Sequence, residues 1–188
     1  VNVIVATDIF GDGAHLSALV NCLKSLNVRI SIVSPYRTKY VFKSEEDAYT
    51  RYISEFGHDR YYQKLVDVIN NLNEPICLVG FSAGASAAWR VISSFQLNNV
   101  KSFIGFYPGQ IRNYLDLSPN QQALLIFPQN ENHFDVNCVI EKLSKKRNTR
   151  CEIAPFEHGF MNAMSNGYNE KAAKLYLNKI SEFVMKVS

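Results

Sequence analysis

Short aliphatic runs recur along this chain. Each is followed by a polar or glycine-rich break, and then by a longer stretch with apolar positions every three or four residues. Residues 2–7 (NVIVAT), 28–35 (VRISIVSP), 75–81 (PICLVGF), 100–107 (VKSFIGFY), 123–128 (ALLIFP) and 150–156 (RCEIAPF) read as strands. Residues 15–26, 83–95, 135–146 and 170–186 read as helices, and 44–72 as one or two helices broken near Gly57. Ser44 and Asp135 stand where N-caps belong. Strand and helix alternating along the chain predict βαβ units, and so an α/β fold with a mostly parallel sheet of about six strands. The strands are apolar rather than alternating, which predicts a sheet covered by helices on both faces.

Composition narrows the class without choosing a function. The 188 residues suit one domain spanning 1–188, 47% of them apolar and 20% charged, as in globular proteins. The formal charge is +3, and the densest basic run is Lys145-Lys146-Arg147 at the end of an expected helix. Cations there complement the helix dipole, so neither a nucleic-acid nor a membrane partner is expected. No apolar run approaches the roughly 20 residues of a membrane span. Cys22, Cys77, Cys138 and Cys151 form no CxxC pair and no metal-ligand spacing. Neither a disulfide framework, a metal site nor a cofactor is expected. No signal peptide is visible, which points to the cytoplasm, although the chain starts at Val1 without a methionine.

Ligands of such sheets bind beyond the carboxyl ends of the strands. The most specific feature there is Gly80-Phe81-Ser82-Ala83-Gly84, a G-x-S-x-G between an expected strand and an expected helix. That context suits a nucleophile elbow, in which a sharp turn exposes the serine hydroxyl above the sheet. The crowding of strand against helix requires Gly80, Gly84 and Ala85 to be small. The alternative is a plain Ser/Gly turn.

A serine needs a base. Of the four histidines, His158 follows the last strand and can reach over Ser82, whereas His15 and His58 read as helix or surface residues and His133 is a weaker competitor. Elbow enzymes run serine, acid, histidine along the chain. Glu131 in "QNENHFD" is the favoured acid. Asp135 is an alternative that an N-cap role explains equally well, and Asp116 is a third option. Ala83 and Ile9 are expected to supply the N–H groups of an oxyanion hole. "GDG" at 11–13 lacks the last glycine of a dinucleotide fingerprint, with Leu16 in its place.

Together these residues resemble the α/β-hydrolase superfamily, and within it the dienelactone hydrolase family. The resemblance rests on Asp8-Ile9-Phe10-Gly11 for the family's E-I-F-G, on the elbow at 80–84, on "GFYPG" at 105–109, and on His158 with Phe160 for its H-x-F. It implies strand order 2-1-3-4-5-6, a minimal version of the fold without the N-terminal hairpin or a large lid, and substrate contacts from Asp8, Phe10 and Tyr107. It also implies differences. The family's nucleophile is a cysteine, here Ser82. Aligning its D-H-F segment places Asn132 at the acid, whereas counting from the strand places Glu131 there. Its carboxylate-binding arginines are matched by Asn162 and Glu45, which argues against a dienelactone substrate.

The expected protein is a serine hydrolase of small carboxylic esters or thioesters, acting through an acyl-enzyme as a monomer or homodimer. An acyltransferase or thioesterase falls in the same class. A non-catalytic binding protein on the same fold is the competing reading, motivated by the open identity of the acid. Six of the ten tyrosines lie between 36 and 62. They are expected either to border the strand-end cleft or to pack helix against sheet.

Overall fold

The computed structural model describes residues 1–94 and 97–186. Six strands form one sheet: β1 (Asn2–Ala6), β2 (Arg29–Val33), β3 (Ile76–Phe81), β4 (Val100–Phe106), β5 (Gln122–Phe127) and β6 (Thr149–Ile153). All neighbours are parallel, and the order is β2-β1-β3-β4-β5-β6. This is the order the resemblance implied, with the first crossover running outward to β2 and the rest stepping the other way. The reversal lies between β1 and β3, where an open α/β sheet presents its binding crevice.

The helices are α1 (Ser17–Lys24), α2 (Glu45–Glu55), α3 (Gly57–Asn70), α4 (Ala83–Ile92), α5 (Val136–Ser144) and α6 (Glu170–Met185). The expected helix over 83–95 ends at Ile92 among the described residues, and Phe95 lies outside them. Ser44 and Asp135 are N-caps: Ser44 Oγ accepts from Asp47 N–H, and Asp135 Oδ1 accepts from Asn137 and Cys138 N–H. The short 3-10 turns at Ala14–Leu16 and Gly109–Asn113 were not legible as separate elements.

Period-two alternation divides the central strands between two cores. Ile4, Ile76, Leu78, Phe103 and Leu125 pack under α2, α3, α4 and α5. Val3, Val5, Val79, Ile104 and Ile126 pack under α1 and α6. The edge strands differ from expectation. Residues of β2 and β6 are mostly half-buried or exposed, because each has only one strand neighbour and less helix cover. The four cysteines are free, and burial pushes the Cys77 thiol up to about 11. Among the described residues no helix is long and apolar enough to cross a membrane, and no three His, Cys, Asp or Glu side chains gather as a metal site.

Candidate active site

The turn from β3 into α4 leaves no room for side chains at its glycines. A Cβ on Gly84 would lie 2.3 Å from the carbonyl oxygens of both Ala6 and Thr7, and one on Gly80 would lie 2.7 Å from Ala85 Cα. The small residues therefore let α4 start directly against β1. Ser82 is held at φ 48°, ψ −112°, a conformation a non-glycine residue keeps only when its surroundings impose it. The imposition is visible: Ser82 N–H donates to Phe106 C=O at 2.9 Å, and Ser82 C=O accepts from Ser86 N–H at 3.0 Å. Ser86 Oγ in turn accepts from Gln110 N–H at 3.1 Å, fastening the loop after β4 to the elbow.

Ser82 Oγ lies 2.9 Å from His158 Nε2, and His158 Nδ1 lies 2.6 Å from Glu131 Oε1. The sheet explains the second contact. Phe127 and Ile153 are register partners at the ends of β5 and β6, so the loops carrying Glu131 and His158 leave side by side. Asp135, the alternative acid, spends its carboxylate on the start of α5. Asn132 and His133 are exposed on the rim of the same cleft.

Ile9 and Ala83 both line that cleft, which encloses about 730 Å³. The Ala83 N–H opens α4 and has no intrahelical acceptor. Among the described residues, none accepts from the Ile9 N–H. Two tyrosines hold the Ile9 loop. Tyr36 Oη donates to Ile9 C=O at 2.7 Å, and Tyr61 Oη lies 2.7 Å from Val33 C=O and 2.8 Å from Thr7 C=O. Both are buried, as is Tyr52, so most of the tyrosine-rich segment packs helix against sheet. Tyr49 is the member that borders the cleft.

Asp8, Phe10 and Tyr107, expected at the substrate, lie behind the cleft instead. The Phe10 ring packs against Phe42 and His15. Tyr107 is fully buried with its ring centroid 4.9 Å from that of His158, and at φ 39° it is a second strained residue beside the histidine. It forms a floor under the imidazole. With Asp8 and His15 it lines a separate cavity of about 70 Å³ between α1 and α6. Asp8 Oδ1 accepts from Phe10 N–H at 3.0 Å and Oδ2 from Asn162 Nδ2 at 2.6 Å. Burial raises the Asp8 carboxyl above its usual range, and the bond from Asn162 works against that rise.

The two positions where the resemblance would place arginines thus brace the loop that carries His158. Asn162 ties it to Asp8. Glu45 accepts from Ser165 Oγ at 3.1 Å and Asn166 N–H at 3.2 Å. Sequence reasoning missed these braces, together with Tyr36, Tyr61 and Ser86. The crowding of tyrosines before residue 62 was the one available signal.

Comparison with known proteins bears on the family and the fold. The model of the dienelactone hydrolase family matches residues 42–188. The uncharacterized protein YczH of Bacillus subtilis strain 168 is 30% identical over 177 residues, covering 89% of this chain and 84% of that protein. The dienelactone hydrolase-like promiscuous phosphotriesterase P91 from metagenomic libraries superposes with a TM-score of 0.73 at 12% identity, over 99% of this chain and 86% of that one. Est1E from Butyrivibrio proteoclasticus gives 0.67 at 10% identity, over 98% and 87%. These two structures share the fold alone, whereas the family match reaches across most of the sequence: the chain belongs to the dienelactone hydrolase family of α/β-hydrolases.

Proposed function

We propose that this protein hydrolyses small carboxylic esters or thioesters through an acyl-enzyme on Ser82. The observation that carries this reading is the hydrogen-bonded series from Ser82 Oγ through His158 to Glu131 at the floor of an open cleft. Ser82 Oγ attacks the carbonyl carbon while His158 Nε2 takes its proton. His158 then returns the proton to the leaving alkoxide or thiolate. A water molecule, deprotonated by the same nitrogen, releases the acid and restores Ser82. Glu131 fixes the tautomer with Nδ1 protonated and stabilises the imidazolium. The Ala83 and Ile9 N–H groups receive the oxyanion, aided by the N-terminal end of α4. The 2.6 Å contact between His158 Nδ1 and a Glu131 carboxylate oxygen favours this reading over a non-catalytic binding protein.

A fluorophosphonate probe is expected to label the wild-type protein on Ser82, with p-nitrophenyl acetate or butyrate turned over and both signals lost in Ser82→Ala. Absence of labelling and of turnover in the folded wild-type protein would overturn the reading. The acid has its own test. Glu131→Gln is expected to lower kcat roughly 10³–10⁴-fold by losing the charge and favouring the wrong tautomer. Asp135→Asn should stay within a few-fold, since asparagine caps a helix about as well as aspartate. The reverse ranking in ester assays would move the acid to Asp135.

A further inference from the structure

We infer that the cleft selects against anionic substrates and favours esters whose leaving or acyl group carries a positive charge. This inference rests on the hydrolase reading above and gives its substrate class. The carboxylates of Glu45, Glu46, Glu131 and Glu157 line the cleft that holds Ser82. Glu131 is engaged by His158, and the other three have no cationic partner among the described residues. Arg112 is the sole Lys or Arg on the described lining, and it is occupied by Gly109 C=O and by the Phe134 ring, 5.5 Å away. His58 adds little opposing charge, because burial lowers its pKa and its Nδ1 is 2.9 Å from Tyr52 Oη. His133 on the exposed rim is the remaining titratable group that could offset the acids.

Glu45 and Glu46 also lie in the first turn of α2, where acids complement the dipole. That partial charge, about half an elementary unit, offsets only a fraction of two carboxylates. The exposed ring of Tyr49 lines the cleft with them, and an aromatic face next to carboxylates suits an ammonium group. Asn162, the neutral amide beyond His158, is already spent on Asp8 and offers an anion nothing. A substrate carboxylate would therefore enter a field of its own sign with one engaged guanidinium to meet it.

Three thioacetates of equal chain length test this: acetylthiocholine, its neutral carbon isostere S-(3,3-dimethylbutyl) thioacetate, and anionic S-acetyl-3-mercaptopropionate. At low salt kcat/KM is expected to fall by about tenfold from cation to neutral and again from neutral to anion, and the spread to shrink in 1 M salt. In Glu46→Gln/Glu157→Gln, which alters two exposed side chains, the spread should contract. Equal kcat/KM for all three, or preference for the anion, would overturn the inference while leaving the hydrolase reading intact. The dissociation constants of the same compounds on Ser82→Ala, measured by calorimetry, keep the two apart. If wild-type protein turns over neither these nor the p-nitrophenyl esters and takes no fluorophosphonate label, the hydrolase reading falls, and the ranking of those constants still upholds or overturns the charge preference.

Discussion

Ser82→Ala, His158→Ala and the double variant are expected to be almost equally inactive. Each single replacement should lower kcat/KM on small esters by about 10⁴–10⁶-fold, and the double variant should be no worse than the poorer single. The reason is geometric. Ser82 Oγ and His158 Nε2 share one hydrogen bond at 2.9 Å, so the nucleophile has no other base and the base no other task. Removing either leaves the Ile9 and Ala83 N–H groups, which keep a residual rate of about 10³ over solution. The fold should not change, because both side chains face the cleft and neither fills a core. Matching circular dichroism and thermal midpoints would verify this. Additive losses would mean that serine and histidine act separately, and the proposed proton path would be wrong.

The fold and the site were legible in the sequence to different depths. The sheet order follows from alternating apolar runs together with the resemblance, since crossover handedness leaves few arrangements open. The elbow was legible because steric crowding admits only small residues at Gly80, Gly84 and Ala85, and composition records such a restriction directly. The acid was harder. "QNENHFD" offers Glu131, Asn132 and Asp135, and the choice depends on where the backbone leaves β5 beside β6, which spacing does not determine. The supports of the site were the least legible. Tyr36, Tyr61, Asn162 and Glu45 act through hydrogen bonds to backbone or side chains far away in the chain, such as Asn162 to Asp8 across 154 positions. A one-dimensional pattern carries no trace of a bond at that separation. For the same reason Asp8, Phe10 and Tyr107 resembled substrate contacts in sequence and prove to lie one layer behind.

Gly84→Ala should be strongly destabilising for a single added methyl. The added carbon would meet two backbone carbonyl oxygens, those of Ala6 and Thr7, at 2.3 Å. Ordinary carbon–oxygen contact needs about 1 Å more, and neither neighbour can rotate away as a side chain would. Ala6 is paired with β2 on one side and β3 on the other, so β1 is held in place. The helix must retreat, but α4 is buried around most of its circumference between the sheet and α3. Overpacking of this kind costs about 3 kcal/mol, at the upper end of the usual range. In a domain of this size that corresponds to a fall in Tm of roughly 10 °C. Gly57→Ala is the control. Its Cβ would meet nothing within 4 Å, but φ is 69°, so the penalty is confined to backbone strain of about 1 kcal/mol. Thermal denaturation of both variants separates lack of space from lack of conformational freedom. If Gly84→Ala melts with or above Gly57→Ala, the close approach of α4 to β1 is not what requires glycine there. If it melts well below, the material still folded at low temperature should also have lost most esterase activity. A helix displaced by even a fraction of an ångström carries Ser82 and the Ala83 N–H with it, and the reacting groups tolerate little misplacement.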